Sequence, residues 1–373
     1  MHIKNLKIEN FRNILNEEIN FDKNINIIYG ENGQGKTSIL EAIYFLAITR
    51  SFRINSEKIA LQKSKEYFDL NGRFTTDANN EVDIRLFFSL KDGKNVFLNK
   101  NKLQNFSELI GVIPTILLSL EDLELTYGVP ANRRRFVDIL LAQTSPVYLH
   151  ALQKYKKSLQ HRNKLLTLIN EGKSNKNALF PWDEQLISNG IEIVRARQKF
   201  IDFINKNITG YYRFISKTNE EISGSYVSNI SKNLMVDKEE IKNQYHDNLS
   251  GNLNADIERK STSIGPHRDD FNFLKDGNFI KYYGSQGENK TFLIALKFVE
   301  SSFLKQNLKE NPVFLMDDIF GELDDNRIAS LLDFTKTIGQ TFITTTLKTK
   351  FKDSGLKSSN YICLKNGTLM NAQ

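Results

Sequence analysis

Apolar positions along this chain change period three times, and each change marks a different kind of structure. Ile3, Leu6, Ile8 and Phe11 alternate loosely with polar residues, predicting a first strand. Ile25-Asn26-Ile27-Ile28-Tyr29 is a short apolar run with the pattern of a buried strand, and Ser38 to Leu46 reads as a helix. Phe68 to Leu70, Val82 to Phe88 and Lys94 to Leu98 predict further strands, with Asp92-Gly93 as a hairpin signal between the last two. The region up to Leu120 is therefore expected to be mixed, with an antiparallel meander following the first helix.

From about Glu121 to Lys260 the chain becomes helical, charged and poor in glycine. Pro130 stands at a first helical position before Ala131 to Ala142, and Pro146 opens a long helix to about Asn170. After the polar loop 171–177, a second long helix is predicted from Trp182 to Ile208, giving a short antiparallel helical hairpin. Ile222 to Ile230 has strand character, and Asp237 is placed to cap another helix. From Ser261 the α/β signals return, with apolar strands at Val313 to Met316 and Thr341 to Thr346. The fold class expected is α/β: one discontinuous domain from residues 1–120 and 261–373, with a helical lobe, 121–260, inserted.

The chemistry begins at Gly30-Glu31-Asn32-Gly33-Gln34-Gly35-Lys36-Thr37, which fits G-x-x-x-x-G-K-[ST], the Walker A phosphate loop. Strand before and helix after is the context it requires. Gly30, Asn32, Gly33, Gly35 and Ser38 let backbone N–H groups face one anion at the positive end of a helix. Lys36 is expected to reach the β- and γ-phosphates of ATP, and Thr37 to ligate Mg²⁺. The strand Val313 to Met316 then delivers Asp317 and Asp318 to a strand end. Asp317 is expected to hold Mg²⁺ and Asp318 to act as general base.

Ser285-Gln286-Gly287-Glu288 opens another helix and forms a second anion site. One molecule rarely applies two such sites to one triphosphate. Two copies facing each other would, each phosphate loop completed by the other copy's Ser285 loop. Gly321-Glu322-Leu323-Asp324 and the hydroxyls of Thr344-Thr345-Thr346 are weaker signals near the same strand ends.

Composition narrows the partners. A net charge of +7 and a pI near 9.1 favour an anionic partner, nucleic acid first and a membrane surface second. Arg50 and Arg53, at the end of the first helix, are the DNA candidates, by backbone contacts only, because no base-reading motif is visible. Arg133, Arg134 and Arg135 are consecutive and point different ways on a helix, so at least one is expected to pair with carboxylates. Lys154, Lys156, Lys157, Arg162 and Lys164 enrich the first long helix, as a solvated face or a binding one. His267 is expected to be a hydrogen-bonded structural histidine. One cysteine, Cys363, excludes an internal disulfide and fits a reducing cytoplasm; no signal peptide or membrane-spanning stretch is visible.

Phosphate loop, Ser-x-Gly signature, carboxylate pair and acidic turn, in that order, resemble an ABC-type P-loop ATPase head. The finer pattern resembles the RecF family of bacterial recombination mediators, relatives of the SMC proteins. It is carried by Asn10-Phe11-Arg12-Asn13, Arg50-Ser51-Phe52-Arg53, Arg133 to Asp138, Gly265-Pro266-His267-Arg268-Asp269-Asp270, and the threonine run where transporter ATPases carry His. The resemblance implies an ATP-dependent homodimer that binds DNA at single-strand/double-strand junctions, without a membrane. It also implies slow, DNA-stimulated ATP hydrolysis and work with RecR and RecO to load RecA. The chain departs from the family at Glu288, where Gln is usual, at Leu120 for Pro, and at Lys290 for Arg. A carboxylate at 288 facing a partner's nucleotide would be repelled unless it points at ribose hydroxyls. The rival readings are an ABC ATPase subunit of another system and an SMC-like interaction protein switched by ATP without turnover.

Overall fold

The computed structural model describes residues 1–231, 233–234, 236–346 and 359–370. Its organisation follows from one helix, Lys36–Ile48, whose sequence KTSILEAIYFLAI has no polar face; every residue except Thr37 is buried. A helix that is apolar all round needs cover on all sides. This one packs against strands of two different sheets.

The first sheet is antiparallel, in the order 14–20, 2–11, 67–75, 81–89, 93–98, 101–102. The Asp92-Gly93 signal marks the hairpin between Glu81–Ser89 and Gly93–Leu98. The second sheet has five parallel strands, Ser359–Lys365, Ile25–Tyr29, Thr341–Thr345, Val313–Asp317 and Thr115–Ser119, with Thr368–Met370 antiparallel at one edge. Both faces of its middle strands are covered, which is why they read as continuous apolar runs. The last residues, 347–358 and 371–373, lie outside the described residues, as do Lys232 and Met235.

The chain divides into two compact units. The first comprises Met1–Leu123, Tyr211–Thr218 and Lys290–Gln373, and holds both sheets just described. The second comprises Glu124–Gly210 and Asn219–Asn289. The sequence pattern predicts that residues 261–289 join the domain formed by the chain ends. They belong to the second unit because strand Asp270–Lys275 pairs antiparallel with Ile222–Val227, forming a three-stranded sheet with Asn278–Phe279.

In the second unit, helices Pro130–Thr144 and Pro146–Asn170 each start on the expected proline. Helix Phe180–Ser216, whose residues up to Gly210 belong to this unit, runs back along the latter and is longer than expected, at 37 residues. Pro181 does not shorten it, since a proline in the first turn loses no intrahelical hydrogen bond. Asp237 caps helix Lys238–Gly251 by accepting the Glu239 N–H at 3.1 Å.

This unit also buries a polar network. Arg197 donates to Asp138 Oδ1 at 2.7 Å and to the Pro266 carbonyl at 2.7 Å. Arg133 pairs with Asp270 at 2.8 and 2.9 Å. Asp269, 1% exposed, accepts from the Tyr226 hydroxyl and from Asn229 N–H. His267 meets Tyr155 Oη at 2.6 Å through Nδ1 and the Thr262 carbonyl at 3.0 Å through Nε2. Burial pushes this imidazole down to about 4, so it is neutral, with Nε2 donating and Nδ1 accepting. The string 265–270 is therefore a structural hub, and His267 is the hydrogen-bonded residue expected.

Arg162 departs from the reading as part of a solvated or DNA-binding face. It is 0% exposed and donates to Asp183 Oδ1 at 2.6 Å, Asp256 Oδ2 at 2.8 Å and Thr262 Oγ1 at 2.9 Å. The spacing explains it: Tyr148, Ala151, Leu152, Tyr155, Ser158, Arg162 and Leu166 form the buried phase of the helix, and Arg162 falls on it. Replacing Arg162 with Met leaves Asp183 and Asp256 facing each other without a cation. We expect the second unit to lose about 3–5 kcal/mol, read as a lower urea midpoint at unchanged slope.

Candidate nucleotide site

The parallel register places one set of residues at one sheet edge. Ser119 and Thr344 both lie opposite Asp317, and Thr345 lies opposite Tyr29, the residue before the phosphate loop. Carboxyl ends of parallel strands are where α/β sheets bind ligands.

The loop is held from two sides. At Gly30 a Cβ would come within 2.4 Å of the Leu364 carbonyl oxygen, and at Gly35, with φ +104°, within 2.8 Å of Asn13 Oδ1. Asn13 donates to the Gly33 carbonyl at 3.2 Å and accepts from Ser38 Oγ at 3.2 Å. Asn32 and Gly33 are exposed at the loop's tip. Lys36 is 6% exposed; its Nζ donates to the carbonyls of Gly30 and Glu31, each at 2.9 Å. Burial lowers its pKa, and the charges of Asp318 and Asp317 oppose that shift.

Asp317 is the meeting point. Its Oδ1 accepts the Thr37 hydroxyl at 2.8 Å and the Thr344 hydroxyl at 2.8 Å. Thr344 Oγ1 also accepts the Asp318 N–H at 2.9 Å. Asp318 itself is exposed and sits in the left-handed region, φ 50°, as the strand breaks. Its pKa is raised, first because neighbouring atoms strip part of the water from the carboxyl even though the residue is exposed; Lys36 opposes, while Asp317 and Glu322 add to the rise. The structure therefore brings Lys36, Thr37, Asp317 and Asp318 together. Of the threonine run, Thr344 is committed to the aspartates, Thr345 is buried, and Thr346 is exposed.

The Ser285 loop belongs to the second unit. Ser285 and Glu288 form a capping box: Glu288 Oε2 accepts Ser285 N–H at 2.8 Å, and Ser285 Oγ accepts Glu288 N–H at 3.3 Å. Glu288 is also ion-paired with Lys275, which reaches Glu220 at 3.1 Å as well. Lys275 is the first cause of the lowered Glu288 pKa, and Glu288 the first cause of the raised Lys275 pKa. The carboxylate at 288 is thus used within its own unit, which the sequence did not reveal. Gln286 is exposed and Gly287 half-buried in the first turn of helix Gln286–Leu308.

The two DNA candidates differ. Arg50 is exposed. Arg53 lies 3.7 Å from Glu41, a fully buried carboxylate that also receives two hydrogen bonds from Arg12 and one from Ser51. Asn13, Arg12 and Glu41 were missed as site-supporting residues. The signal available was the polar Arg12-Asn13 pair after a buried strand and a Glu inside an apolar helix.

Among the described residues no group of three or more His, Cys, Asp or Glu side chains could hold a metal, and no helix is long and apolar enough to cross a membrane.

The profile of the family described as RecF/RecN/SMC N terminal domain matches residues 2–367. The DNA replication and repair protein RecF of Prosthecochloris aestuarii is 37% identical over 94% of this chain and 94% of its own. That of Bacillus cytotoxicus is 35% identical over 99% and 98%. A structure titled as the recombination mediator protein RecF-ATPrS in the RecFOR pathway superposes with a TM-score of 0.92 at 30% identity, covering 99% of this chain and 97% of that one. An Smc head bound to a winged-helix domain of ScpA shares the fold, with a TM-score of 0.57 at 16% identity. With an ABC-type ATPase fold and more than 30% identity along nearly its whole length, the chain belongs to the RecF family of DNA replication and repair proteins.

Proposed function

We propose that this protein is an ATP-dependent, dimeric DNA clamp that binds gapped or junction DNA and supports RecA loading with RecO and RecR. Slow, DNA-stimulated ATP hydrolysis would reset the dimer. The observation that carries the reading is Lys36: a nearly buried ammonium whose hydrogen-bond partners are two loop carbonyls, with no carboxylate in ion-pair range among the described residues. Such a cation suits an incoming anion. Beside it, the Thr37 hydroxyl and the Asp317 carboxylate are the oxygen donors that a hard divalent cation takes.

The residues present therefore fit Mg²⁺ and ATP, which would supply the phosphoanhydride and the Lewis acid. Gly30, Gly33, Gly35 and Ser38 would present backbone N–H groups to phosphate, Lys36 would neutralise it, and Thr37 with Asp317 would hold the metal. Asp318, next to Asp317, would take the proton of the attacking water. Ser285, Gln286 and Gly287 present a helix N-terminus to the nucleotide on the partner copy. Glu288 does not repel that nucleotide, because Lys275 neutralises it and Ser285 N–H engages its second oxygen.

Lys36→Met should reduce steady-state ATP turnover by about two to three orders of magnitude, through lost electrostatic stabilisation. Asp318→Asn should reduce it by about 10²–10⁴ while leaving nucleotide binding intact by equilibrium dialysis.

Lys275→Ala should uncover the Glu288 charge and weaken ATP-driven dimerisation by about tenfold, since two exposed-pair interactions of up to about 1 kcal/mol each are lost per dimer. Adding Glu288→Gln should restore it in sedimentation equilibrium. Failure of the second change to rescue the first would mean that Lys275 acts through something other than Glu288.

A further inference from the structure

Helix Pro146–Asn170 contains no Asp or Glu in 25 residues, in a chain that carries 44. With Arg162 turned inward, its remaining cations, Lys154, Lys156, Lys157 and Lys164, are all exposed. None of these four is ion-paired among the described residues, whereas Lys4, Lys173, Lys238 and Lys336 on other elements are. Lys154, Lys157, His161 and Lys164 are spaced by three, four and three residues, so they share one face. That face spans about 15 Å at the helical rise of about 1.5 Å per residue.

The neighbouring edge of helix Phe180–Ser216 continues the surface. The Trp182 indole stacks on His161, with ring centroids 4.3 Å apart and planes at 12°. Gln185, which accepts from Ser158 Oγ at 3.0 Å, and Asn189 follow Trp182 at helical spacing and are uncharged. Asp183 is held on Arg162. A face that is only solvated mixes both signs of charge; this one offers lysines and a flat ring pair.

We propose that this face binds a single-stranded stretch of DNA, its phosphates on Lys154, Lys157 and Lys164 and a base against the His161–Trp182 stack. The proposal deepens the clamp reading above and rests on it. A duplex keeps its bases stacked on one another and cannot use the aromatic pair, whereas a single strand uses both features.

Trp182 is the only tryptophan in the chain, so its emission reports on this face without a label. The full-length protein is titrated with an oligo(dT) strand while tryptophan emission and the anisotropy of a dye on the strand are followed together. We expect quenching with the same midpoint as the anisotropy. The triple variant Lys154→Gln, Lys157→Gln, Lys164→Gln should bind at least about tenfold more weakly at low salt, and its salt slope should fall by about 2, as three single-strand phosphate contacts predict. A control triple with the same charge change, Lys65→Gln, Lys91→Gln, Lys100→Gln, should bind like the wild type.

Saturating anisotropy with silent emission, or two triples that behave alike, would overturn the proposal. So would poly-glutamate binding that needs these lysines while oligo(dT) does not, which would assign the face to an acidic protein. If ATP still drives dimerisation and DNA still binds in any of these cases, only this inference fails. If the protein binds no DNA with or without ATP, the clamp reading fails with it.

Discussion

A single carboxylate oxygen, Asp317 Oδ1, ties the candidate nucleotide edge together. It accepts hydroxyls from the residue after the phosphate-loop lysine and from the neighbouring parallel strand, each at 2.8 Å. Thr37, Asp317 and Thr344 come from segments some 280 and 27 positions apart in sequence. Their meeting requires the parallel register in which Asp317 lies opposite Thr344. A one-residue slip would turn Asp317 to the other face of the sheet, so the register and the site are one constraint.

The same logic explains the helix behind the loop. Its all-round apolar surface demands cover from two sheets, and those sheets hold the helix that the loop leads into. Glu41 is the exception in that helix, and it is neutralised by Arg12 from the turn between the first two strands. That turn also supplies Asn13, which holds the loop from outside. The phosphate loop is thus braced by residues that do not belong to its motif.

The contiguous parts of this arrangement were legible in the sequence. The phosphate loop, the strand ending in two aspartates, the proline-started helices and the Asp92-Gly93 hairpin each rest on neighbours within a few residues. Strands Ile14–Asn20 and Ser359–Lys365 are hidden in the sequence because polar residues interrupt their apolar ones, whereas Thr115–Ser119, with Ile116, Leu117 and Leu118 in a row, does carry the signal of a buried strand. Lys275 as partner of Glu288 was hidden for a different reason. Strand Asp270–Lys275 had not been recognised, so nothing placed an ammonium beside the signature helix. Arg162 has the residue type of a surface cation, but its spacing with Tyr155, Ser158 and Leu166 puts it on the buried phase, and period is the better guide here.

The central claim is that nucleotide joins two copies, each copy's Ser285 loop meeting the other's phosphate loop. The most direct test is the mass of the full-length protein by light scattering, with and without a saturating non-hydrolysable ATP analogue, for the wild type and for Ser285→Arg. The account predicts a wild-type dimer only with the analogue, and a Ser285→Arg protein that binds the analogue yet remains a monomer. A wild-type monomer at saturation, or a Ser285→Arg protein that dimerises like the wild type, would contradict it.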